Sequence, residues 1–174
     1  MTVSVEGNLL FDFSSAVRST KFDEEGAHGL THCMKAVDFL VETHDAVLLI
    51  EAKDPDHPLA QARDVAVFAQ ELQSSVLTAR ELVPKCRDTF IYEWCCQDRA
   101  VDINKPWKYL VLIALSALRP PELIVLSDGL RRSLPVAGPP GQRWQPFVQD
   151  CQVFNLQTWS KSLGALFPVT RLQQ

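Results

Sequence analysis

Two neighbouring segments in the first third of the chain carry its clearest pattern of apolar and polar positions. Residues 35–43 read KAVDFLVET and alternate, so one face of the predicted strand is apolar and the other carries acidic side chains. Residues 46–53 read AVLLIEAK, a run typical of a strand buried on both faces. The apolar face of the first strand is predicted to hold Val37, Phe39 and Val41. Because only two residues separate the segments, they predict an antiparallel hairpin, ended by the prolines at positions 55 and 58.

Helical spacing of apolar residues begins soon after the hairpin. Residues 59–72 have the spacing of an amphipathic helix, and a second helix is predicted over residues 84–97, where Pro84 suits the first turn. The buried stripe of this second helix is predicted to hold Cys86, Phe90, Ile91 and Trp94. A third helix is indicated over residues 122–132, and a short fourth helix around residues 158–163.

Further strands and loops complete the predicted order. Weak alternation over residues 3–13, with a turn at Gly7-Asn8, favours an N-terminal strand, and residues 107–115 and 148–156 are typical of buried strands. The other segments are a short helix or a loop over 14–22, loops over 21–32 and 137–141, and an irregular tail over 167–174. This order predicts one α/β domain over residues 1–174, with a central mixed β-sheet flanked by helices on both faces.

Composition is that of an ordinary globular domain. The 174 residues are 47% apolar and 22% charged, and no apolar run approaches the roughly 18 residues that span a bilayer. No basic stretch followed by an apolar segment opens the sequence. The five cysteines include no CxxC pair, so neither a disulfide framework nor a zinc site is indicated. We therefore expect a cytoplasmic protein that does not enter a membrane.

Three charged side chains on the predicted hairpin carry the chemistry. Twelve residues separate Asp38 from the sequence Glu51-Ala52-Lys53. Glu51 and Lys53 point the same way, about 7 Å apart along their strand, and pairing across the hairpin can bring Asp38 close to Glu51. Two carboxylates held together resist ionisation, but a divalent cation relieves this because carboxylate oxygens suit Mg²⁺ or Mn²⁺. Such a cation activates water, so the pattern predicts metal-assisted hydrolysis of phosphodiesters.

The arrangement resembles the signature of the PD-(D/E)XK, or restriction-endonuclease-like, nuclease superfamily, in which an acidic residue on one strand precedes (D/E)-x-K on the next. The resemblance covers residues 35–54. It implies a restriction-endonuclease-like fold and hydrolysis of DNA or RNA. It also implies that Asp38 and Glu51 bind Mg (or Mn), that the Ala52 carbonyl contacts the metal, and that Lys53 positions the attacking water.

The sequence departs from the family pattern in two places. Val37 stands where the name of the motif has proline. The family often has an additional acidic residue from its first helix, and Asp23, Glu24 and Glu25 are the candidates here. The superfamily also includes members that keep the fold without catalysis, so the alternative is an inactive nuclease-fold interaction module within a larger complex.

Lys85 and Arg87 are candidate phosphate-binding residues. They lie near the start of the second predicted helix, where backbone amides favour anions. In the family this helix flanks the active site. The alternative for both side chains is solvent exposure, or pairing with Asp88 or Glu81.

The net charge of −4 bears on the expected partners. Nucleic-acid affinity comes largely from neutralising phosphates, so this charge argues against tight, unassisted duplex binding. Basic residues gather between positions 80 and 132, as a local patch or as a solvated face. Nucleic acid is the expected partner, and a homodimer or a larger protein complex is compatible with the sequence. If catalysis is absent, Asp38 and Lys53 are expected to form a structural ion pair.

Overall fold

The computed structural model describes residues 3–24, 29–30 and 32–172 of the chain. Over these residues the protein is a mixed α/β structure with a five-stranded sheet and a three-stranded sheet. The strands are β1 (Val3–Glu6), β2 (Leu9–Asp12), β3 (Arg18–Lys21), β4 (Phe39–Glu42), β5 (Val47–Lys53), β6 (Trp107–Ile113), β7 (Asp150–Phe154) and β8 (Val169–Arg171). The helices are α1 (Ala62–Gln73), α2 (Val83–Cys95), α3 (Pro120–Ser133) and α4 (Leu156–Ser162), with a π turn (Thr78–Leu82) directly before α2.

The larger sheet has the spatial order β3-β4-β5-β6-β7. β4 is antiparallel to both of its neighbours, β3 and β5, whereas β5, β6 and β7 are parallel, so the sheet is mixed as the sequence predicts. The predicted hairpin is β4 and β5, and its turn is closed by the Thr43 N–H donating to the Ala46 carbonyl. β5 is the middle strand, which explains its almost unbroken apolar run.

Helices α1, α2 and α3 cover one face of the larger sheet. The helix residues Leu72, Cys86 and Leu130 are buried in one cluster with Leu49 of β5 and Tyr109 of β6. The two prolines at positions 120 and 121 open α3, because proline lacks the N–H that a first turn leaves without a partner.

The π turn before α2 has a physical cause. Its wider ring is closed by the Val83 N–H, which donates to the Thr78 carbonyl. Pro84 follows and has no N–H to donate to the Arg80 carbonyl, as an α-helix would require. The Lys35 ammonium donates to that carbonyl instead, over 2.7 Å. α2 therefore begins from a locally underwound segment that is tied to the chain just before β4.

The opposite face of the larger sheet is covered by α4 and by the three-stranded antiparallel sheet β1-β2-β8. Aromatic side chains fill this second core, where Phe11, Phe13, Phe39, Trp159 and Phe167 are fully buried. A helix is present on this face as predicted, but the second sheet was not predicted. The β1–β2 hairpin turns at Gly7-Asn8, and Gly7 has a φ of +56°, which favours glycine.

Several local predictions are wrong at strand ends. Residues 14–22 contain β3 rather than a helix or a loop alone, and the tail predicted as irregular contains β8. The strand predicted over residues 35–43 begins only at Phe39, so Val37 packs with the helices rather than beside Phe39. Part of the predicted loop, at residues 25–28 and 31, lies outside the described residues.

The buried stripe of α2 also differs from the prediction. Cys86 is buried as expected, but its buried companions are Thr89 and Glu93. Trp94 is 58% exposed and Ile91 is 43% exposed. A prediction based on the spacing of apolar residues does not include Thr89 and Glu93, because both are polar. Among the described residues, none of the helices has the length and apolar character that crossing a lipid bilayer requires.

Candidate functional site

The register of the hairpin brings Asp38 and Glu51 to one place. Phe39 pairs with Ile50 across the two strands, so the next position in each direction sets Asp38 opposite Glu51. Both carboxylates are buried on the helical face of the sheet. The Ala52 backbone N–H donates to Asp38 Oδ2 over 2.6 Å, which fixes the orientation of that carboxylate. The predicted cross-strand pair of acids is therefore present.

Glu51 is the most enclosed of the charged residues. Its side chain has no exposed area, and Lys53 Nζ lies 2.7 Å from its Oε1. Burial, and next the nearby Asp38 carboxylate, raise the pKa of Glu51 to about 7, although Lys53 and Lys85 act in the opposite direction. A carboxylate kept in such a place requires cationic partners. Glu51 and Lys53 lie together at the end of β5, as their spacing predicts.

Lys85 reaches the same two carboxylates from α2. Its Nζ donates to Glu51 Oε1 and Oε2 over 2.7 and 2.9 Å, and to Asp38 Oδ1 over 3.2 Å. Burial lowers the pKa of Lys85, but the charges of Glu51 and Asp38 outweigh burial and raise it above the ordinary value. The sequence predicted a phosphate contact for Lys85. The structure instead places its ammonium group between the carboxylates.

Asp38 also belongs to a second cluster of acidic residues. Carboxylate oxygens of Glu6, Asp23 and Asp38 all lie within 4.8 Å of one another. Asp23 is adjacent because the Phe22 N–H donates to the Asp38 carbonyl, which extends the β3–β4 pairing by one position. Glu6 is tied to β3 by an ion pair of 3.3 Å with Lys21. Asp23, one of the three candidates for the additional acidic residue, therefore lies beside Asp38, although it follows a strand rather than lying on a helix.

Asp23 has an unusual environment within this group. Burial, and next the charges of Asp38 and Glu6, raise the pKa of Asp23 to about 6. Its Oδ1 is buried without a hydrogen-bond partner. A buried oxygen of this kind is costly unless a cation or a donor reaches it.

The donor set fits a divalent metal ion. Mg²⁺ binds oxygen ligands at about 2.1 Å in octahedral geometry, so neighbouring ligand oxygens are about 3.0 to 4.2 Å apart. The oxygens of Glu6, Asp23 and Asp38 lie within 4.8 Å of one another, close enough for a single cation to contact all three carboxylates. The buried Asp23 Oδ1, which has no hydrogen-bond partner, is an oxygen that an ion can bind.

The remaining predicted residues lie around this centre. Ala52 lies between Glu51 and Lys53 in β5, and its N–H contacts Asp38. Arg87 is exposed and pairs with its neighbour Asp88 at 2.9 Å, one of the two alternatives that the sequence left open. Glu24 is exposed, and Glu25 lies outside the described residues.

Sequence reasoning missed Glu6. It lies in the weakly alternating N-terminal segment, and no local pattern connects that hairpin with residues 38–53. Only the ion pair with Lys21 and the pairing of β3 with β4 bring it to Asp38. Sequence reasoning also missed Lys35. Its Nζ donates to Glu81 Oε1 over 2.7 Å, which connects the chain before β4 to the π turn before α2.

The fold and the site thus define an α/β protein with a buried acidic centre, in which Lys85 bridges Asp38 and Glu51 and Lys53 contacts Glu51. No protein-family model matches the sequence, and no curated protein or solved structure matches it either. What the site does must therefore be inferred from its own geometry.

Proposed function

We propose that this chain is a metal-dependent nuclease with a restriction-endonuclease-like fold, in which Asp38, Glu51 and Lys53 form the reactive centre. The proposal depends chiefly on the convergence of the two hairpin carboxylates and Lys53 at the end of β5. The mixed sheet with an acidic hairpin at its centre, covered by helices on the site's face, is consistent with that fold.

The residues of the site have distinct roles in this proposal. Asp38 and Glu51, with the Ala52 carbonyl, would hold Mg²⁺ or Mn²⁺, and Asp23 and Glu6 would provide additional acidic ligands beside Asp38. The ion, when bound, supplies an acidified water and charge stabilisation at the phosphoryl oxygen. Lys53 Nζ, which lies 2.7 Å from Glu51, orients the attacking water and offsets negative charge on the phosphate. Arg87 remains a predicted phosphate contact from the exposed side of α2.

A cleavage assay tests the proposal directly. Purified protein is incubated with Mg²⁺ or Mn²⁺ and with single-stranded and double-stranded DNA and RNA, and products are separated on denaturing gels. We expect metal-dependent cleavage of at least one of these substrates, and a loss of about 100-fold or more in Glu51→Gln. Glu42→Gln is the matched control, because Glu42 is a buried acid of the same hairpin that pairs with Lys105.

The controls decide what the assay means. Cleavage that EDTA does not stop, or that is equal in Glu51→Gln and Glu42→Gln, would remove the assignment. Cleavage lost in Glu51→Gln and kept in Glu42→Gln supports it, provided that both variants unfold cooperatively.

The second candidate function is a catalytically inactive interaction module of the same fold. The observation that favours it is that Lys85 and Lys53 already neutralise Glu51, so the site is electrostatically satisfied without a metal ion. The net charge of −4 points the same way. Calorimetry with Mn²⁺ distinguishes the two: the module is expected to release or absorb no heat at millimolar concentrations of the ion, and to form a complex with a protein partner or with itself.

A further inference from the structure

We infer that the Lys85 ammonium competes with a divalent cation for Asp38 and Glu51, so that metal binding and release of the Lys85 side chain are coupled. The inference rests on the metal site proposed above and adds a regulatory role for a residue on α2. Lys85 is thus a positioning residue whose contacts change with metal occupancy.

The contacts of Lys85 carry this inference. Its Nζ lies within 3.2 Å of oxygens from both carboxylates, and it contacts both oxygens of Glu51. Its side chain is only 14% exposed, so the ammonium group is held in the site rather than in solvent. No other lysine or arginine among the described residues makes an ion pair with Asp38.

The two cations exclude each other for a simple reason. A metal bound to Asp38 and Glu51 needs oxygen lone pairs to which Lys85 now donates. Two positive charges within a few ångströms in a buried site also repel strongly. Lys85 therefore has to leave the carboxylates when the metal is bound, and it has to return when the metal is absent.

Release of Lys85 has a functional consequence. Once freed, the ammonium group remains on the first turns of α2, beside the centre where a substrate phosphate is expected. In the metal-bound protein Lys85 is then free to make the predicted phosphate contact. In the metal-free protein it contacts the two carboxylates instead. One side chain thus offsets part of the carboxylate charge in the metal-free protein and is available to an anion in the metal-bound protein.

Calorimetric titration with Mn²⁺ tests the competition. We expect Lys85→Gln to bind Mn²⁺ about tenfold or more tightly than the wild-type protein, because the competing charge is gone. Lys108→Gln is the matched control: it removes the same charge at an exposed position of the neighbouring strand β6. Its affinity for Mn²⁺ is expected to stay within about twofold of the wild type, because an exposed charge is screened.

The outcomes separate this inference from the proposed function. Equal affinities in all three proteins overturn the competition and leave the nuclease proposal standing. If Lys85→Gln binds Mn²⁺ more tightly but no protein cleaves nucleic acid, the competition is supported and only the nuclease proposal is removed. If neither the wild type nor Lys85→Gln binds Mn²⁺, the metal site is wrong and the inference falls with it.

A measurement on the wild-type protein avoids dependence on the variant's folding. In nitrogen-15 spectra of labelled lysine side chains, a buried ammonium group held by three oxygens gives a protected signal. Titration with diamagnetic Mg²⁺ is expected to remove the protected Lys85 signal in proportion to metal binding. The Lys105 signal, from the pair with Glu42, is the internal reference. A Lys85 signal unchanged at saturating Mg²⁺ would contradict the competition.

Discussion

The Thr89 hydroxyl accepts a hydrogen bond of 3.1 Å from the backbone N–H of Val37, and both residues are buried. This bond joins α2 to the residue that precedes Asp38. It therefore fixes the distance between the helix that carries Lys85 and the hairpin whose carboxylates Lys85 contacts. The geometry of the site depends on this link between two elements that are far apart in sequence.

We expect Thr89→Val to destabilise the protein by about 1 to 3 kcal/mol, because the Val37 N–H would be buried without a partner. Urea unfolding followed by circular dichroism measures the change. Thr170→Val is the control, since Thr170 is exposed on β8. Equal unfolding midpoints for the two variants would show that the bond contributes nothing.

Lys53→Met is expected to lower the rate of cleavage by about 100-fold or more, because the cationic group that orients water and offsets phosphate charge is lost. The rate under single-turnover conditions is the quantity to measure. Lys108→Met, an exposed position on the neighbouring strand β6, should cleave at the wild-type rate. If Lys53→Met retains full activity, Lys53 has no catalytic role.

The pH dependence of the free energy of unfolding is expected to report the raised pKa of Glu93. Burial raises the pKa of this carboxyl above its ordinary value of 4.5. The folded protein therefore binds the proton more tightly than the unfolded chain. The stability contributed by the protonated group is fully present below pH 4.5 and is lost as the pH rises through the raised pKa.

Glu93→Gln cannot lose a proton, so it should lack this decline. We expect the free energy of unfolding of the wild type, relative to that of Glu93→Gln, to fall as the pH rises from below 4.5 through the raised pKa of Glu93. Urea unfolding at a series of pH values measures both proteins. Parallel profiles would mean that Glu93 titrates alike in the folded and unfolded states.

Ser75→Gly is expected to stabilise the protein by up to about 1 kcal/mol. Ser75 follows α1 with a φ of +60°, a conformation that is unfavourable for residues with a Cβ. Ser74→Gly is the opposite control: Ser74 has a φ of −79°, so glycine there gains no relief and should cost about 0.5 to 1 kcal/mol. Thermal unfolding gives both values, and the same sign for both variants would contradict this explanation.

The hairpin of the site was predictable because its information is local. The alternation over residues 35–43, the apolar run over 46–53 and the two-residue connection are all read within 19 positions of sequence. Antiparallel pairing across so short a turn leaves few possible registers. The convergence of Asp38, Glu51 and Lys53 follows from that register alone.

Other parts of the site could not be predicted because they depend on distant contacts. Strands β3 and β8 are short and only partly buried, so they have little apolar pattern. Glu6 and Asp23 reach Asp38 only through the pairing of β3 with β4. The contact of Lys85 with both carboxylates depends on how α2 packs against the hairpin, which has no signature in apolar spacing.

The π turn makes the chain's entry into α2 sensitive to the number of residues in it. A π turn contains one residue more than the α-helical turn it replaces, and one residue corresponds to a rotation of about 100° around a helix axis. Deleting a single residue between Thr78 and Leu82 would turn the residues just before the π turn by that angle relative to α2. Lys85 would keep its place, because the bond between Thr89 and Val37 joins α2 to the hairpin. A one-residue deletion here would therefore change how the chain enters α2 and leave the paired acids where they are.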